Sequence, residues 1–243
     1  MSQQQQPPMV VLLFGITGMT GKHVLEHAVK NNHGQYKIVC FVRDPTKIPE
    51  ALRSNVDVVQ GDCTNADVAK ACIKATAPDS IVITSCVGFT NALVPLNQIL
   101  VPLIVDALTE SNRLSHCKLI YLSGAGSPNP PSREYGWFFS MIMWAVSLKG
   151  AVFDNTATQE YIVATNPALR FAIVKMGMVV EGASKGTIVG KQCTDDMTWG
   201  FTDIATAEGV RFCDVGAFLM RLATDAEGCC GRELLLMRYD TIA

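Results

Sequence analysis

Seven residues, Gly15-Ile16-Thr17-Gly18-Met19-Thr20-Gly21, constrain this chain more than any others. They stand between the apolar run Met9–Phe14 and a helical spacing of Val24, Leu25, Ala28 and Val29 within Thr20–Lys30. A continuous apolar run suits a strand buried on both faces, as in a parallel sheet covered by helices. With strand, turn and helix in this order, each glycine has a task. Gly15 permits the tight turn, Gly18 lets backbone approach a pyrophosphate, and Gly21 lets helix and strand pack closely. The helix start then offers unpaired N–H groups and a partial positive charge to phosphates. The plainer alternative is a tight βα turn that holds nothing.

The remainder of the chain repeats the alternation. Strands are expected at Tyr36–Val42, Val56–Gln60, Ser80–Thr84, Lys118–Leu122, Arg170–Lys175 and Glu233–Arg238. Helices are expected from Asp44-Pro45, at Asn65–Ala75, at Pro95–Asn112 with a kink at Pro102, at Glu134–Lys149 and Asp154–Ala164 with a break near Gly150, and at Asp214–Ala223. Repeated β-α-β-α predicts an α/β fold, a Rossmann-type doubly wound parallel sheet. Residues 1–8 read as a polar tail, and 9–243 as a single NAD(P)-binding domain. Within it the aperiodic stretch 181–210, rich in Gly, Thr and Asp, reads as a small substrate-side cap.

Composition narrows the function classes. With 49% apolar residues among 243, the chain can bury a core, which excludes global disorder. A formal charge of −2 argues against nucleic acid as a partner. No apolar stretch reaches the length of a membrane span, and no basic, apolar leader precedes Met9, so a soluble, cytoplasmic chain is expected. The nine cysteines form no C-x-x-C pair and read as small buried hydrophobes; Cys229-Cys230 reads as two reduced thiols, with a vicinal disulfide as the alternative.

The end of the second strand bears on the cofactor. Sites that prefer NAD usually carry an acid there for the ribose 2′-hydroxyl. This chain has Arg43, in Val42-Arg43-Asp44-Pro45, whose guanidinium can pair with a 2′-phosphate. NADP(H) is therefore expected over NAD(H); a solvated arginine, or an ion pair with Asp44, is the alternative.

Taken together, GITGMTG, Val42-Arg43-Asp44, Gly61-Asp62-Cys63, Ser85–Gly88, Leu119–Ser123 and Leu169–Gly177 resemble the atypical short-chain dehydrogenase/reductase superfamily. The pattern is nearest to its NmrA-like members and its biliverdin-IXβ/flavin reductases. The resemblance implies a cofactor site of Gly15, Thr17, Gly18, Met19, Thr20, Gly21 and Arg43, with Asp62 and Cys63 bordering the adenine. It implies Ser85, Cys86 and Val87 along the ribose and pyrophosphate. It further implies Ser123 and Gly124 beside the nicotinamide, with Met176, Gly177 and Met178 closing over it.

The chain departs from the better-known members in having no Y-x-x-x-K pair, which ordinarily serves proton transfer. In the two frames set by Lys149 and Glu160, the tyrosine position falls on Ala145 or Val152. Tyr135 and Tyr161 remain as displaced candidates. The biliverdin/flavin reductase relatives also lack this tyrosine and pass hydride directly to a stacked acceptor. The leading expectation is thus an NADPH-dependent reductase of a planar, apolar, flavin- or quinone-like acceptor, with the proton from solvent or Ser123. A catalytically silent NADP(H)-dependent sensor or scaffold of the NmrA-like type is the alternative.

Two further signals are weaker. His23-Val24-Leu25-Glu26-His27 matches H-x-x-E-H, but its helix begins at the glycine turn, so a surface helix face is expected and no metal. The run Trp137–Val146 is apolar and aromatic but too short to cross a bilayer. It reads as buried core or a self-association or partner face, as an acceptor-pocket wall, or as a membrane contact.

Overall fold

The computed structural model describes residues 9–76, 81–85, 94–124, 149–165, 167–176, 179–192, 209–224 and 232–239. The expected tail 1–8, the run Trp137–Val146, the helix expected before Lys149, the site residues Cys86, Val87, Gly177 and Met178, and Cys229-Cys230 lie outside them.

The apolar runs become β1 (Met9–Phe14), β2 (Tyr36–Val42), β3 (Asp57–Gln60), β4 (Ile81–Ser85), β5 (Cys117–Gly124) and β6 (Arg170–Met176). Between them run α1 (Met19–Lys30), the short α2 (Glu50–Arg53), α3 (Ala66–Thr76), α4 (Leu96–Glu110) and α5 (Lys149–Ala164). Then come β7 (Val179–Val180), β8 (Ile188–Gln192), β9 (Val210–Arg211), α6 (Phe212–Thr224) and β10 (Arg232–Tyr239).

The main sheet has the order β3-β2-β1-β4-β5-β6-β10-β8, which is the doubly wound order of a Rossmann fold extended by two strands. All its pairs are parallel except β10 with β8. Alternate side chains of each strand feed opposite cores. Val11 and Leu13 meet Val24 and Leu25 of α1 and Val215 and Leu219 of α6. Val10, Leu12 and Phe14 pack with Ile73 of α3, Leu100 and Ile104 of α4, and Ile162 of α5. Burial on both faces is why these strands carry no apolar–polar alternation.

Several boundaries differ from expectation for identifiable reasons. Asp44-Pro45 opens only a 3-10 turn, Pro45–Lys47, because the Asp44 carboxylate folds back onto Thr46; Pro49 then precedes the four-residue α2. The helix expected from Asp154 begins earlier, at Lys149, with Gly150 in its first turn. Pro102 lies within α4 without ending it. Inside 181–210, residues Ile188–Gln192 form β8, an antiparallel edge strand of the main sheet, while 193–208 lie outside the described residues.

The H-x-x-E-H segment is only in part a surface face: Glu26 is exposed, whereas His23 and His27 are half-buried beside α6. A Cβ on Gly216 of α6 would lie 2.7 Å from the His23 carbonyl carbon, so the two helices cross in near-contact there. His23 stacks on Phe212 with ring centroids 6.5 Å apart, and its Nδ1 lies 3.0 Å from Glu26 Oε2. Partial burial lowers the His27 pKa, against the opposing pull of a hydrogen bond to the Cys213 backbone. Cys40, Cys72 and Cys117 are buried free thiols, each pushed up by burial, to about 12, about 11 and about 12.

Candidate functional site

The strand order reverses between β1 and β4, so the chain leaves these neighbours toward opposite faces and opens a crevice at their C-terminal ends. The glycine turn forms one wall. Gly15 has φ 74°, a left-handed conformation that favours glycine. Its carbonyl accepts from the Gly18 N–H at 3.0 Å, which closes the turn. Gly18 starts α1 in extended backbone with no side-chain cap, and no acid stands in the first turn. The Lys22 N–H reaches Gly18 O at 3.1 Å, so the N–H groups of Met19, Thr20 and Gly21 precede the helical ladder and lack acceptors within it. Thr17 and Gly18 are exposed, Met19 is 57% exposed and Thr20 is buried. Amides outside the helical ladder, a first turn without an acidic residue and a Cβ-free cradle fit a dinucleotide's pyrophosphate.

The second wall lies at the ends of β2 and β3, where Val42 pairs with Gln60. Arg43 is exposed, and the Gln60 Nε2 donates to its carbonyl at 3.3 Å. Asp44 is engaged elsewhere: its Oδ1 accepts from the Thr46 N–H at 3.0 Å and the Thr46 hydroxyl at 2.6 Å, which hold its carboxyl below the ordinary range. Among the described residues Arg43 has no ion pair, so the pairing with Asp44 is not formed. Asp62 Oδ1 likewise accepts from the Thr64 N–H at 2.9 Å and hydroxyl at 2.8 Å. Those bonds lower its pKa, and the Arg43 charge adds a smaller pull in the same direction. Cys63 is half-buried beside them, its thiol raised by burial. The fold thus brings Arg43, Asp62 and Cys63 to one rim.

The third wall is formed by β4, β5 and β6. Ser85 ends β4 opposite Phe14 and Tyr121, Ser123 stands opposite Lys175, and Gly124 opposite Met176. Met176 is half-buried and packs toward the α1/α6 core. Ser123 is 1% exposed, and its Oγ accepts from the Gln159 Nε2 of α5 at 2.9 Å. The same nitrogen donates to the Asn155 carbonyl at 3.1 Å, and the Tyr121 hydroxyl donates to Asn155 Oδ1 at 2.7 Å. Burial pushes the Tyr121 phenol upward, which makes it a structural tie. Tyr161, one displaced candidate for proton transfer, instead packs against the α3/α4/α5 core, with Asp106 adding to the upward shift that burial gives it. Tyr135 lies outside the described residues.

Gln159 and Asn155 escaped the sequence reading. Their only local signal is two amides four residues apart on a helix, a spacing that places them on one face.

Comparison with known proteins agrees with this architecture. The sequence profile of an NAD(P)H-binding family matches residues 15–224. No curated protein sequence matches the chain. Among solved structures, the chain is similar to ChuY, an anaerobilin reductase from Escherichia coli, with TM-score 0.70 and 19% identity over 96% of this chain and 98% of that one. It is also similar to the oxidoreductase ylbE from Lactococcus lactis, with TM-score 0.68 and 19% identity over 96% and 91% of the two chains. A wide-type short-chain dehydrogenase/reductase from Veillonella parvula, solved with NADP, gives TM-score 0.66 and 12% identity over 96% and 95%. No helix among the described residues is long and apolar enough to cross a membrane. The glycine cradle, the strand order and the family match lead to one assignment: this chain belongs to the NAD(P)H-binding family whose profile it matches over residues 15–224.

Proposed function

We propose that this protein is an NADPH-dependent reductase that passes hydride to a planar, apolar acceptor of flavin or quinone type. The observation that carries the reading is the rim at the end of β2. There Arg43 is exposed while both neighbouring acids, Asp44 and Asp62, are engaged by threonines. A guanidinium so placed is suited to a 2′-phosphate, whereas an NAD site would present a carboxylate. The bound nicotinamide would supply the hydride. Gly15, Gly18 and the amides of Met19, Thr20 and Gly21 would hold the pyrophosphate, with Asp62 and Cys63 along the adenine, Ser85 on the ribose side, and Gly124 and Met176 beside the nicotinamide. Ser123 would deliver the proton. The chain's contribution to catalysis is then chiefly orientation, which by itself supplies a large share of a barrier reduction. Similarity to a protein described as an anaerobilin reductase supports the reductase class without naming this chain's acceptor.

Calorimetric titration tests the cofactor half. NADPH should bind more tightly than NADH, and Arg43→Asp should weaken NADPH by about 1–3 kcal/mol while leaving NADH nearly unchanged. Equal affinities in the unaltered protein would remove Arg43 from its role. The chemical half is tested by NADPH oxidation with a panel of flavins, quinones and aldehydes. Turnover is expected with flavins or quinones. Tight NADPH binding without turnover of any acceptor would instead favour a dinucleotide-dependent sensor.

A further inference from the structure

We propose that Gln159 is a positioning residue that holds the Ser123 hydroxyl as a proton donor to the acceptor, an inference resting on the reductase reading above. Gln159 is fully buried, and its Nε2 lies 2.9 Å from Ser123 Oγ and 3.1 Å from the Asn155 carbonyl oxygen. A carbonyl only accepts hydrogen bonds, so the amide nitrogen, not the amide oxygen, must face this corner. One N–H goes to Asn155 and the other to Ser123. Ser123 Oγ is therefore the acceptor in that bond, and its own proton is left to point elsewhere.

The placement is stiff. Asn155 is pinned by the Tyr121 hydroxyl, and the preceding Asp154 is bonded to the first turn of α4. Helix α5 is thereby fixed against β5 at the height of Ser123. A serine hydroxyl alone is a poor acid, but an N–H already directed at its oxygen stabilises the negative charge that grows as the proton departs. In the balanced reaction the dihydronicotinamide is oxidised by loss of a hydride, and the acceptor is reduced by gaining it together with a proton. That proton leaves with cleavage of the Ser123 O–H bond, and solvent restores it. Two buried oxygens on the same face of α5, Gln159 Oε1 and Thr156 Oγ1, have no hydrogen-bond partner among the described residues. Leaving such atoms dry is costly, and they suit a water that carries the replacement proton.

Four variants separate the possibilities. Gln159→Met keeps the length but removes the donor; Gln159→Glu donates only while its carboxyl is protonated. Ser123→Ala removes the hydroxyl, and Ser123→Thr keeps it. In 15N-labelled protein, with and without NADPH, the Gln159 side-chain amide should move on Ser123→Ala and hold its place on Ser123→Thr. In steady state with NADPH and a naphthoquinone, Ser123→Ala should lower kcat by roughly 100-fold, and Gln159→Met by roughly 10-fold or more. Gln159→Met should leave the affinity for NADPH unchanged, and the two combined should be no slower than Ser123→Ala alone. Gln159→Glu should keep activity at acid pH and lose it as the pH rises and its carboxyl ionises, a limb absent from the unaltered protein. Should Gln159→Met not fold, this pH limb carries the test.

A slow Ser123→Ala beside a full-rate Gln159→Met, or a Gln159→Glu without the new limb, overturns the role of Gln159 and leaves the reductase reading intact. An amide resonance indifferent to Ser123→Ala overturns the bond itself. A full-rate Ser123→Ala, or no turnover of any acceptor by the unaltered protein, overturns the reading beneath and the inference with it.

Discussion

Gly21→Ala should abolish tight dinucleotide binding while leaving a folded protein of reduced stability. A Cβ at this position would lie 2.1 Å from the Gly15 carbonyl oxygen and 2.6 Å from the Ile16 Cα. Both neighbours are backbone, so no side chain can rotate aside. Relief requires α1 to move outward from β1 or the Gly15 turn to open. Gly15 already sits at φ 74° and accepts the Gly18 N–H, so opening the turn breaks the contact that sets the first residues of the helix. Overpacking of this kind costs about 1–3 kcal/mol of stability. The larger effect falls on the ligand, because the amides of Met19, Thr20 and Gly21 would no longer converge on one phosphate position. A loss of roughly 100-fold in NADPH affinity, or about 2.7 kcal/mol, is expected. Thermal unfolding and NADPH titration of the same preparation check both effects. Unchanged affinity in a stably folded variant would show that this row of amides does not hold the coenzyme.

The second large effect is expected at Asp154, a residue of α5 that finishes the start of a different helix. Pro95 precedes α4 and offers no side-chain cap. Asp154, 6% exposed, supplies the missing acceptor across the interface. Its Oδ2 takes the Asn97 N–H at 3.1 Å and the Asn97 Nδ2 at 2.9 Å, and its Oδ1 takes the Gln98 N–H at 2.9 Å. A carboxylate at a helix N-terminus also meets the positive end of the helix dipole. Asp154→Ala leaves three donors in a largely dry place. A destabilisation of roughly 3 kcal/mol is expected, seen as a fall of about 6–12 °C in Tm for a chain of this size. Asp154→Asn should lie between, since its amide keeps one acceptor oxygen but turns a donor toward donors. Because α5 also carries Asn155 and Gln159, the alanine variant should lower the turnover assigned to Ser123 as well. A Tm within a degree or two of the unaltered protein would mean that water replaces the carboxylate at no cost.

Most of the layered architecture was readable from residue order. Parallel strands buried on both faces are marked by composition alone, so Met9–Phe14 and Tyr36–Val42 were found at their observed bounds. The glycine turn was readable for a related reason: conformational demands at Gly15 and steric ones at Gly21 are local, acting within seven residues. Errors arose where packing outweighs local preference. The helix expected from Asp154 begins at Lys149 instead, and the bonds of Asp154, Asn155 and Gln159 anchor it just beyond. The edge strand Ile188–Gln192 went unseen because its pairing partner, β10, lies more than forty residues onward. His23 looked solvent-facing because nothing near it in the chain announces that α6 crosses there at Gly216.

The candidate site divides in the same way. Short-range order sufficed for the glycine turn and for the position of Arg43 after β2, since each depends on one strand and the turn that follows it. The partner of Ser123 could not be read so. The hydrogen bond that its hydroxyl accepts comes from Gln159, thirty-six residues away, and thus depends on how far along β5 the helix α5 comes to rest. That height is set by the Tyr121 and Asp154 contacts and by close packing of the α4/α5 core, interactions that exist only once the layers have assembled.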